Sequence, residues 1–244
     1  MIAQAVPPYS AFAQVYDQLM SHVPMKTWVA YLRAHAGTRE RLVDLACGTG
    51  ELLKTILATC TLPATGVDSS APMLALARLK LAGLADIKKG SLTSVPLKAN
   101  FTDWAVCTHD SVNYLVDPDS LILHFREVER ILRPGGLYSF DAVTRENMVQ
   151  EFDGKIREEL VNDVYLHWTN YYDEADETLT SHLTFQNGMK TEVETHTQKF
   201  YSAEEIQDLV RKAGLDVGSP EGDYKQRKLK SGDAFMNFHC RKPL

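Results

Sequence analysis

Short apolar runs alternate with stretches of helical spacing along the middle of the chain. Five runs predict strands, at 41–45, 63–67, 86–89, 103–108 and 136–142. Three stretches with apolar positions three to four residues apart predict helices, at 51–60, after Ser69–Ser70 and at 119–132. Strands that alternate with helices form a parallel sheet with helices on both faces. The pattern therefore predicts a doubly wound α/β core.

The segments that flank this core have other patterns. Residues 1–36 carry apolar positions at helical spacing and predict an N-terminal helical cap, whereas 144–200 change to a period of two and predict an inserted antiparallel β lid. The tail predicts a helix at 203–213 and two strands that add an antiparallel edge to the sheet. We therefore expect a mostly parallel, Rossmann-like sheet of seven strands, with a core of 1–143 and 201–244.

An asparagine–glycine pair at 187–188 predicts a hairpin inside the lid. A three-residue loop sets Leu183 opposite Val193 and keeps the apolar residues on one face, so this register is preferred. It places three polar side chains on the opposite face: His182, Glu194 and His196. Their spacing is not diagnostic of a metal site, so we expect a solvated face and no metal.

Composition narrows the choice of partners and compartment. The chain has 244 residues, 44% of them hydrophobic, and a net charge of -6, which disfavours a long surface for tracking phosphates. The dense basic run at 225–230 is interpreted as a solvated loop. Four separated cysteines predict reduced thiols, and no signal peptide or membrane span is recognised. We expect a cytoplasmic protein without a membrane or nucleic-acid partner.

The stretch LVDLACGTGEL, at 42–52, places glycines on a turn from a strand into a helix. Such a turn lets backbone N–H groups approach a ligand closely. The third glycine of a dinucleotide fingerprint is missing, and no phosphate-cradling G-x-x-x-x-G-K-[ST] loop is present. Asp44 within the strand suits a cationic group, and Asp68 at the end of the next strand suits a ribose. A ligand with ribose, adenine and ammonium but no phosphate is S-adenosylmethionine (SAM).

Five segments in order resemble the motifs of class I SAM-dependent methyltransferases: LVDLACGTGEL, ATGVDSS, IKKGSLTSVPL, FTDWAVCTHDSVNYL and VERILRPGGLYSFDA. The resemblance covers residues 9–143 closely and 200–241 more loosely. The helical start, SAFAQVYDQLM, and the β insertion are similar to a small bacterial subgroup. That subgroup is itself similar to glycine N-methyltransferases and sugar-amine N,N-dimethyltransferases.

The resemblance implies a SAM site. Backbone at 46–50 lines the methionine moiety, Asp68 holds the ribose, and aromatic residues of the cap close over the cofactor. Ala46 replaces the usual first glycine, which is tolerable if its φ is negative. Ser91 stands where the family usually has an acid for adenine. The full set of expected cofactor residues is Tyr9, Tyr16, Trp28, Asp44, Ala46, Cys47, Gly48, Gly50, Asp68, Ser69, Met73, Ser91, Leu92 and Thr108.

Acceptor-contact candidates lie on the loop after the fourth predicted strand, where α/β sheets place their chemistry. We expect positioning or catalytic roles for His109, Asp110 and Tyr114, with Asp110 either taking a proton or holding a cationic acceptor. Further candidates for substrate contact are Asn113, His167 and Tyr172.

The function expected from these features is methyl transfer from SAM to a small molecule by in-line displacement, with nitrogen favoured over oxygen by analogy. Two alternatives stay open. An RNA- or protein-modifying methyltransferase would use the basic run at 225–230 for docking. A non-catalytic SAM-binding assembly or regulatory factor would bind the cofactor without turnover. A monomer or a homodimer is compatible with the sequence.

Overall fold

Helical turns dominate the start of the chain. The computed structural model describes residues 3–244, so residues 1 and 2 of the predicted cap lie outside the described residues. A short strand, β1 (Gln4–Ala5), precedes two helices, α1 (Tyr16–Leu19) and α2 (Met25–Ala36). No helix between residues 3 and 244 is both long and apolar enough to cross a membrane.

Strands and helices then alternate as predicted. The elements are β2 (Leu42–Leu45), α3 (Glu51–Leu57), β3 (Ala64–Asp68), α4 (Ala71–Lys80), β4 (Asp86–Lys89), β5 (Thr102–Cys107), α5 (Pro118–Ile131) and β6 (Leu132–Val143). Side chains at the N-caps fix two of the helix starts, because Ser70 accepts from the N–H of Met73 and Asp117 from that of Ser120. Each of these helices also has proline in its first turn.

The inserted segment forms a separate antiparallel sheet after the short helix α6 (Arg145–Asn147). Its strands are β7 (Ile156–Val161), β8 (Val164–Asp173), β9 (Thr178–Asn187) and β10 (Lys190–Lys199). The order is β1-β10-β9-β8-β7, and β1 pairs with β10 in parallel. The N-terminal segment is therefore hydrogen-bonded to the insertion.

The tail completes the central sheet. Its elements are α7 (Ala203–Lys212), β11 (Asp216–Val217), β12 (Glu221–Gly222), β13 (Lys225–Lys228) and β14 (Phe235–Arg241). The order is β13-β12-β14-β6-β5-β2-β3-β4, with β11 also pairing with β14. Strands β2 to β6 are parallel and β14 is antiparallel to β6, so the predicted Rossmann-like fold is confirmed. The described residues give nine strands instead of seven because the tail folds into several short strands.

The register of the β9–β10 hairpin differs from the prediction. Asn187 pairs with Lys190, so the turn is the two residues between them, and Leu183 lies opposite Glu194. Shifting the register by one residue moves a side chain to the other face. Glu194 and His196 are consequently 0% and 4% exposed, whereas His182 is exposed. The predicted solvated position was therefore wrong for Glu194 and His196, and His182 is exposed as predicted.

Three apolar clusters place the N-terminal segment between the two sheets. One lies between the central sheet and helices α5 and α7, and a second packs α2 and α3 against the other part of that sheet. In the third, Phe12 and Leu19 pack on Leu166, Leu183 and Phe185 of the inserted sheet. Burial of these side chains holds the segment against the insertion, next to the ends of the central strands.

Candidate functional site

A cavity of about 890 Å³ lies at the carboxyl ends of β2, β3 and β5. This is the edge of an open α/β sheet at which ligands bind. Fourteen of the predicted residues line it: Tyr9, Tyr16, Asp44, Ala46, Cys47, Gly48, Asp68, Ser69, Met73, Ser91, Leu92, Thr108, His109 and Tyr114. The structure thus brings most of the expected cofactor residues together.

The turn after β2 has an unusual backbone. Ala46 has a φ of 58°, so the condition of a negative φ, under which alanine would be tolerated, is not met, and an alanine here costs about 1–2 kcal/mol. Gly48, with a φ of 52°, has open space where a Cβ would stand. At Gly50, with a φ of 82°, a Cβ would lie 2.6 Å from Leu81 Cδ1. Gly50 is absent from the cavity lining and instead permits close packing of α3 against the end of α4.

The Asp68 carboxylate is held by the backbone on both sides. Its Oδ2 accepts from the N–H of Gly48 and its Oδ1 from the N–H of Ser70, each at 2.8 Å. Burial raises the pKa of Asp68, and these N–H donors oppose that shift. Ser70 Oγ also donates to the carbonyl of Tyr9 at 3.0 Å. Each oxygen of the fixed carboxylate keeps acceptor capacity for hydroxyl groups of a ligand.

Asp44 is a buried acid without a cation. The residue is 2% exposed, and Oδ2 has no hydrogen-bond partner among the described residues. Burial, together with the nearby Asp68, raises the pKa of Asp44 well above its ordinary value. A buried carboxylate is stabilised only when a cation or donors pair with it. The position of Asp44 in the cavity wall therefore favours a ligand that carries a positive group.

A second cavity, of about 310 Å³, adjoins the first. Tyr9, Tyr16, His109 and Tyr114 line both cavities. Two predicted residues, Trp28 and Asp110, line only the smaller one. Trp28 was expected over the cofactor, and the structure instead packs its ring edge-on to His109, with centroids 4.7 Å apart.

Asp110 is half-buried and lines the smaller cavity. Burial and the nearby Asp141 raise the pKa of Asp110 to about 7, while a hydrogen bond from Gln198 Nε2 to Oδ2, at 2.6 Å, opposes the shift. Burial also lowers the pKa of His109 to about 4, so this imidazole is neutral at pH 7. A carboxyl group poised near neutrality can either accept a proton or hold a cation.

The loop that carries His109 and Asp110 is held in a strained conformation. Both residues have positive φ, 60° and 48°, and their N–H groups donate to the carboxylate of Asp141 at 2.9 and 2.5 Å. The Tyr224 hydroxyl donates to the same carboxylate, and the Trp28 ring stacks on Tyr224 at 4.1 Å. Sequence reasoning missed Asp141 and Tyr224. An acid inside the apolar run 136–142 was the signal for the first of them.

A chain of hydrogen bonds joins the insertion to both cavities. Tyr9 OH donates to Tyr114 OH at 2.7 Å, Tyr114 OH lies 2.9 Å from His196 Nδ1, and His196 Nε2 lies 2.8 Å from Glu194 Oε2. Glu194 also accepts from three backbone N–H groups of segment 9–12, at 2.5–2.9 Å. A single buried carboxylate thus fixes the segment that presents Tyr9 to the cavities.

Three predicted acceptor residues lie outside both cavities. Asn113 is fully buried and its amide donates to the carbonyl of Lys199, so it supports the loop internally. His167 lies beside Glu158, with 3.0 Å between Nδ1 and Oε1, on the outer face of the inserted sheet. Tyr172 is buried in a small cluster that includes Met148. The period-two pattern predicted strands in the segment that contains His167 and Tyr172, but it did not give the face of the strand that meets the ligand.

Comparisons with known proteins agree with this geometry. Residues 42–136 match a family described as a methyltransferase domain. The chain is 27% identical over 241 residues to the Bacillus subtilis strain 168 protein YqeM, covering 96% of this chain and 97% of that protein. The resemblance to methyltransferases predicted from the sequence motifs is therefore confirmed.

Solved structures show the same fold. A SAM-dependent methyltransferase from Clostridium acetobutylicum superposes with a TM-score of 0.83 at 23% identity, covering 97% of this chain and 99% of that one. The sugar N-methyltransferase KedS8 from Streptoalloteichus superposes with a TM-score of 0.73 at 20% identity, covering 94% and 93%. At these identities the likeness concerns the architecture, which includes the inserted sheet over nearly the full chain.

Proposed function

We propose that this protein is a SAM-dependent methyltransferase that acts on a small-molecule acceptor, with nitrogen favoured over oxygen. One observation carries the proposal. The two adjoining cavities share a wall of six residues, which are Tyr9, Tyr16, His109 and Tyr114 together with Met20 and Val23. The larger cavity also contains a buried acid, Asp44, whose Oδ2 has no partner among the described residues. A donor site and an acceptor site that meet at a common wall are what group transfer between two small molecules requires.

The larger cavity fits SAM by the chemistry of its lining. The unpartnered carboxylate of Asp44 suits the ammonium group, and the fixed carboxylate of Asp68 suits the ribose hydroxyls. Ser69, Met73 and Leu92 line the part of the cavity proposed for adenine. The volume of about 890 Å³ lies within the usual range for cofactor sites.

When bound, SAM supplies a methyl group already activated on a sulfonium, so the protein has little covalent chemistry to perform. The aromatic rings of Tyr9 and Tyr16 line the shared wall, where they exclude water and offer π-faces to a cation. The Tyr16 hydroxyl lies 3.3 Å from His109 Nδ1, which fixes both rings. Asp110, oriented by Gln198, holds a cationic acceptor or takes up the proton that its nitrogen loses.

The size and lining of the smaller cavity support a small acceptor. Its volume of about 310 Å³ is at the low end for ligand pockets. Aromatic residues such as Phe12 and Trp168 line this cavity together with Asp110. An amine that enters as an ammonium is attracted by this carboxylate. The sugar N-methyltransferase among the structures of similar fold supports nitrogen by analogy.

The basic run gives little support for a nucleic-acid substrate. Arg227 forms a bidentate pair with Asp233, at 2.5 and 2.7 Å, and Lys225 lies 3.8 Å from Asp223. Cations that already face carboxylates are less available to phosphates. The four cysteines are free within residues 3–244, which fits a reducing compartment, and we propose that the protein works in the cytoplasm.

Calorimetric titration with SAM and S-adenosylhomocysteine tests the cofactor. We expect both to bind the wild-type protein and to lose most of their affinity in Asp68→Ala. A matched control is Asp103→Ala, since this carboxylate accepts from the backbone of Glu40 and Arg41. Folded wild-type protein that binds neither ligand would refute the proposal.

A screen of amines and alcohols with SAM then tests the acceptor. Formation of S-adenosylhomocysteine with an amine, reduced in Asp110→Asn, is the expected outcome. Tight SAM binding without turnover on any small amine or alcohol would instead favour a non-catalytic SAM-binding factor. Turnover only on RNA or protein, with steep salt dependence, would favour a macromolecular substrate.

A further inference from the structure

Three side chains that suit a metal ion meet on the side of the sheet where the tail packs against α2. They are His35 near the end of α2, Glu221 in β12 and His239 in β14, and we call them the His–Glu cluster. Their ligand atoms all lie within 4.8 Å of one another. None of the three lines either of the cavities described above. The cluster therefore lies apart from the proposed methyl-transfer site.

The Nδ1 atom of each imidazole has a hydrogen-bond partner outside the cluster, which orients the ring. His35 Nδ1 lies 3.0 Å from the carbonyl of Tyr31, so Nδ1–H donates there and Nε2 is left as a lone-pair donor. His239 Nδ1 lies 2.9 Å from Ser139 Oγ. The two Nε2 atoms face Glu221 Oε2 at 3.4 and 4.0 Å. A second hydrogen bond on the other ring nitrogen is the usual arrangement of histidines that bind metals.

A hydroxyl oxygen from a fourth residue lies beside two members of the cluster. The Tyr31 hydroxyl is 2.7 Å from Glu221 Oε2 and 2.8 Å from His239 Nε2. The side chains of the three cluster residues are between 17% and 26% exposed, so an ion from solvent can reach them. The His35 and His239 rings stack with their centroids 3.7 Å apart, so one of the rings rotates when both Nε2 atoms bind the same ion.

We propose that the His–Glu cluster binds one divalent transition-metal ion of the Zn²⁺ type and thereby ties the N-terminal cap to the tail of the central sheet. Two imidazoles and a carboxylate are a donor set that Zn²⁺ favours. Ligands at about 2.0–2.1 Å from a tetrahedral ion stand about 3.3 Å apart. The ligand atoms of the cluster all lie within 4.8 Å of one another, so no pair has to close by more than about 1.5 Å on binding. The Tyr31 hydroxyl or a water fills the fourth position.

Titration of the tag-free protein with ZnCl₂, followed by calorimetry and thermal unfolding, tests this site. We expect one equivalent to bind with a micromolar Kd, and saturation to raise the Tm by about 5–10 °C. His35→Gln and His239→Gln should each weaken binding at least tenfold. His182→Gln removes an exposed histidine elsewhere and should leave binding unchanged. MgCl₂, a hard cation that prefers oxygen ligands, should give no shift.

Several outcomes overturn the proposal. One is the absence of Zn²⁺ binding to the wild-type protein. Another is binding that survives unchanged when both histidines are replaced. If a histidine variant fails to fold, the wild-type protein with Co²⁺ decides the matter. A visible absorption band of tetrahedral cobalt supports the site, and the spectrum of aqueous Co²⁺ alone refutes it.

Discussion

Replacing Asp44 with asparagine separates what a buried acid costs the protein from what it contributes to binding. The side chain keeps its shape and loses its charge in a position that is 2% exposed, where Oδ2 has no partner among residues 3–244. A neutral amide is cheaper to bury than a carboxylate. We expect Asp44→Asn to be more stable than the wild type by about 1–2 kcal/mol without ligand, a rise in Tm of about 3–6 °C.

The gain should depend on pH in a defined direction. Burial raises the pKa of Asp44, so between the ordinary carboxyl pKa of 3.8 and the raised value the folded state binds more protons than the unfolded state. The wild type therefore loses stability relative to the variant as pH rises through this interval. The advantage of Asp44→Asn should therefore grow as the pH rises above about 4 and shrink as the pH falls towards 4. Thermal and denaturant unfolding across this range measure it.

The same change should weaken SAM binding. A hydrogen bond to a charged group contributes about 1.5–3 kcal/mol, which corresponds to roughly a 10- to 150-fold loss of affinity. Asp103→Asn is the matched control, because both of its oxygens already accept backbone N–H bonds at 2.9 and 3.1 Å. That variant should lose stability and keep its SAM affinity. An Asp44→Asn protein that is less stable than the wild type at pH 8, or that binds SAM equally well, would refute the reasoning.

Three further substitutions test other parts of the site. Glu194→Gln replaces a charged acceptor of three backbone N–H groups. The variant should lose about 2 kcal/mol of stability in denaturant unfolding, and calorimetry should show weaker SAM binding. Unchanged stability and affinity would contradict the role of Glu194. If Asp110 must be ionised, kcat/KM should rise with pH through about 7, and a pH–rate profile of Asp110→Asn should lack that rise. Gly50→Ala should destabilise the protein by about 1–3 kcal/mol more than Gly83→Ala, because both have positive φ but only the first meets a neighbour; equal losses in thermal unfolding would remove the packing argument.

Local patterns were sufficient to predict the central fold. The apolar runs and the caps at Ser70 and Asp117 are short-range signals, and the strand β4 has the predicted bounds, 86–89. Parallel strands place their carboxyl ends together, so residues that follow β2, β3 and β5 had to lie near one another. Asp44 and Asp68 could therefore be predicted as neighbours in one cavity from their positions in the chain alone.

Features that depend on long-range packing could not be predicted in the same way. Ala46 has a positive φ although alanine gives no local sign of it, because the surrounding structure fixes the turn. The hairpin register was predicted from apolar matching, and the buried Glu194 breaks that rule because segment 9–12 supplies its donors from far away in the sequence. Trp28 was placed over the cofactor by the family resemblance. Helical spacing alone gives the face of a helix without naming its partner, and the partner of Trp28 is Tyr224.

Strand β10 supports both cavities, and this limits which variants can distinguish cofactor binding from acceptor binding. Glu194 holds the segment that presents Tyr9 to both cavities, and Gln198 holds the carboxylate of Asp110 at the smaller one. A substitution of Glu194 is therefore expected to alter cofactor and acceptor affinity together. Asp44 lies in β2 and lines only the larger cavity, so its replacement should raise the Kd of SAM while the KM of the acceptor stays the same at saturating SAM.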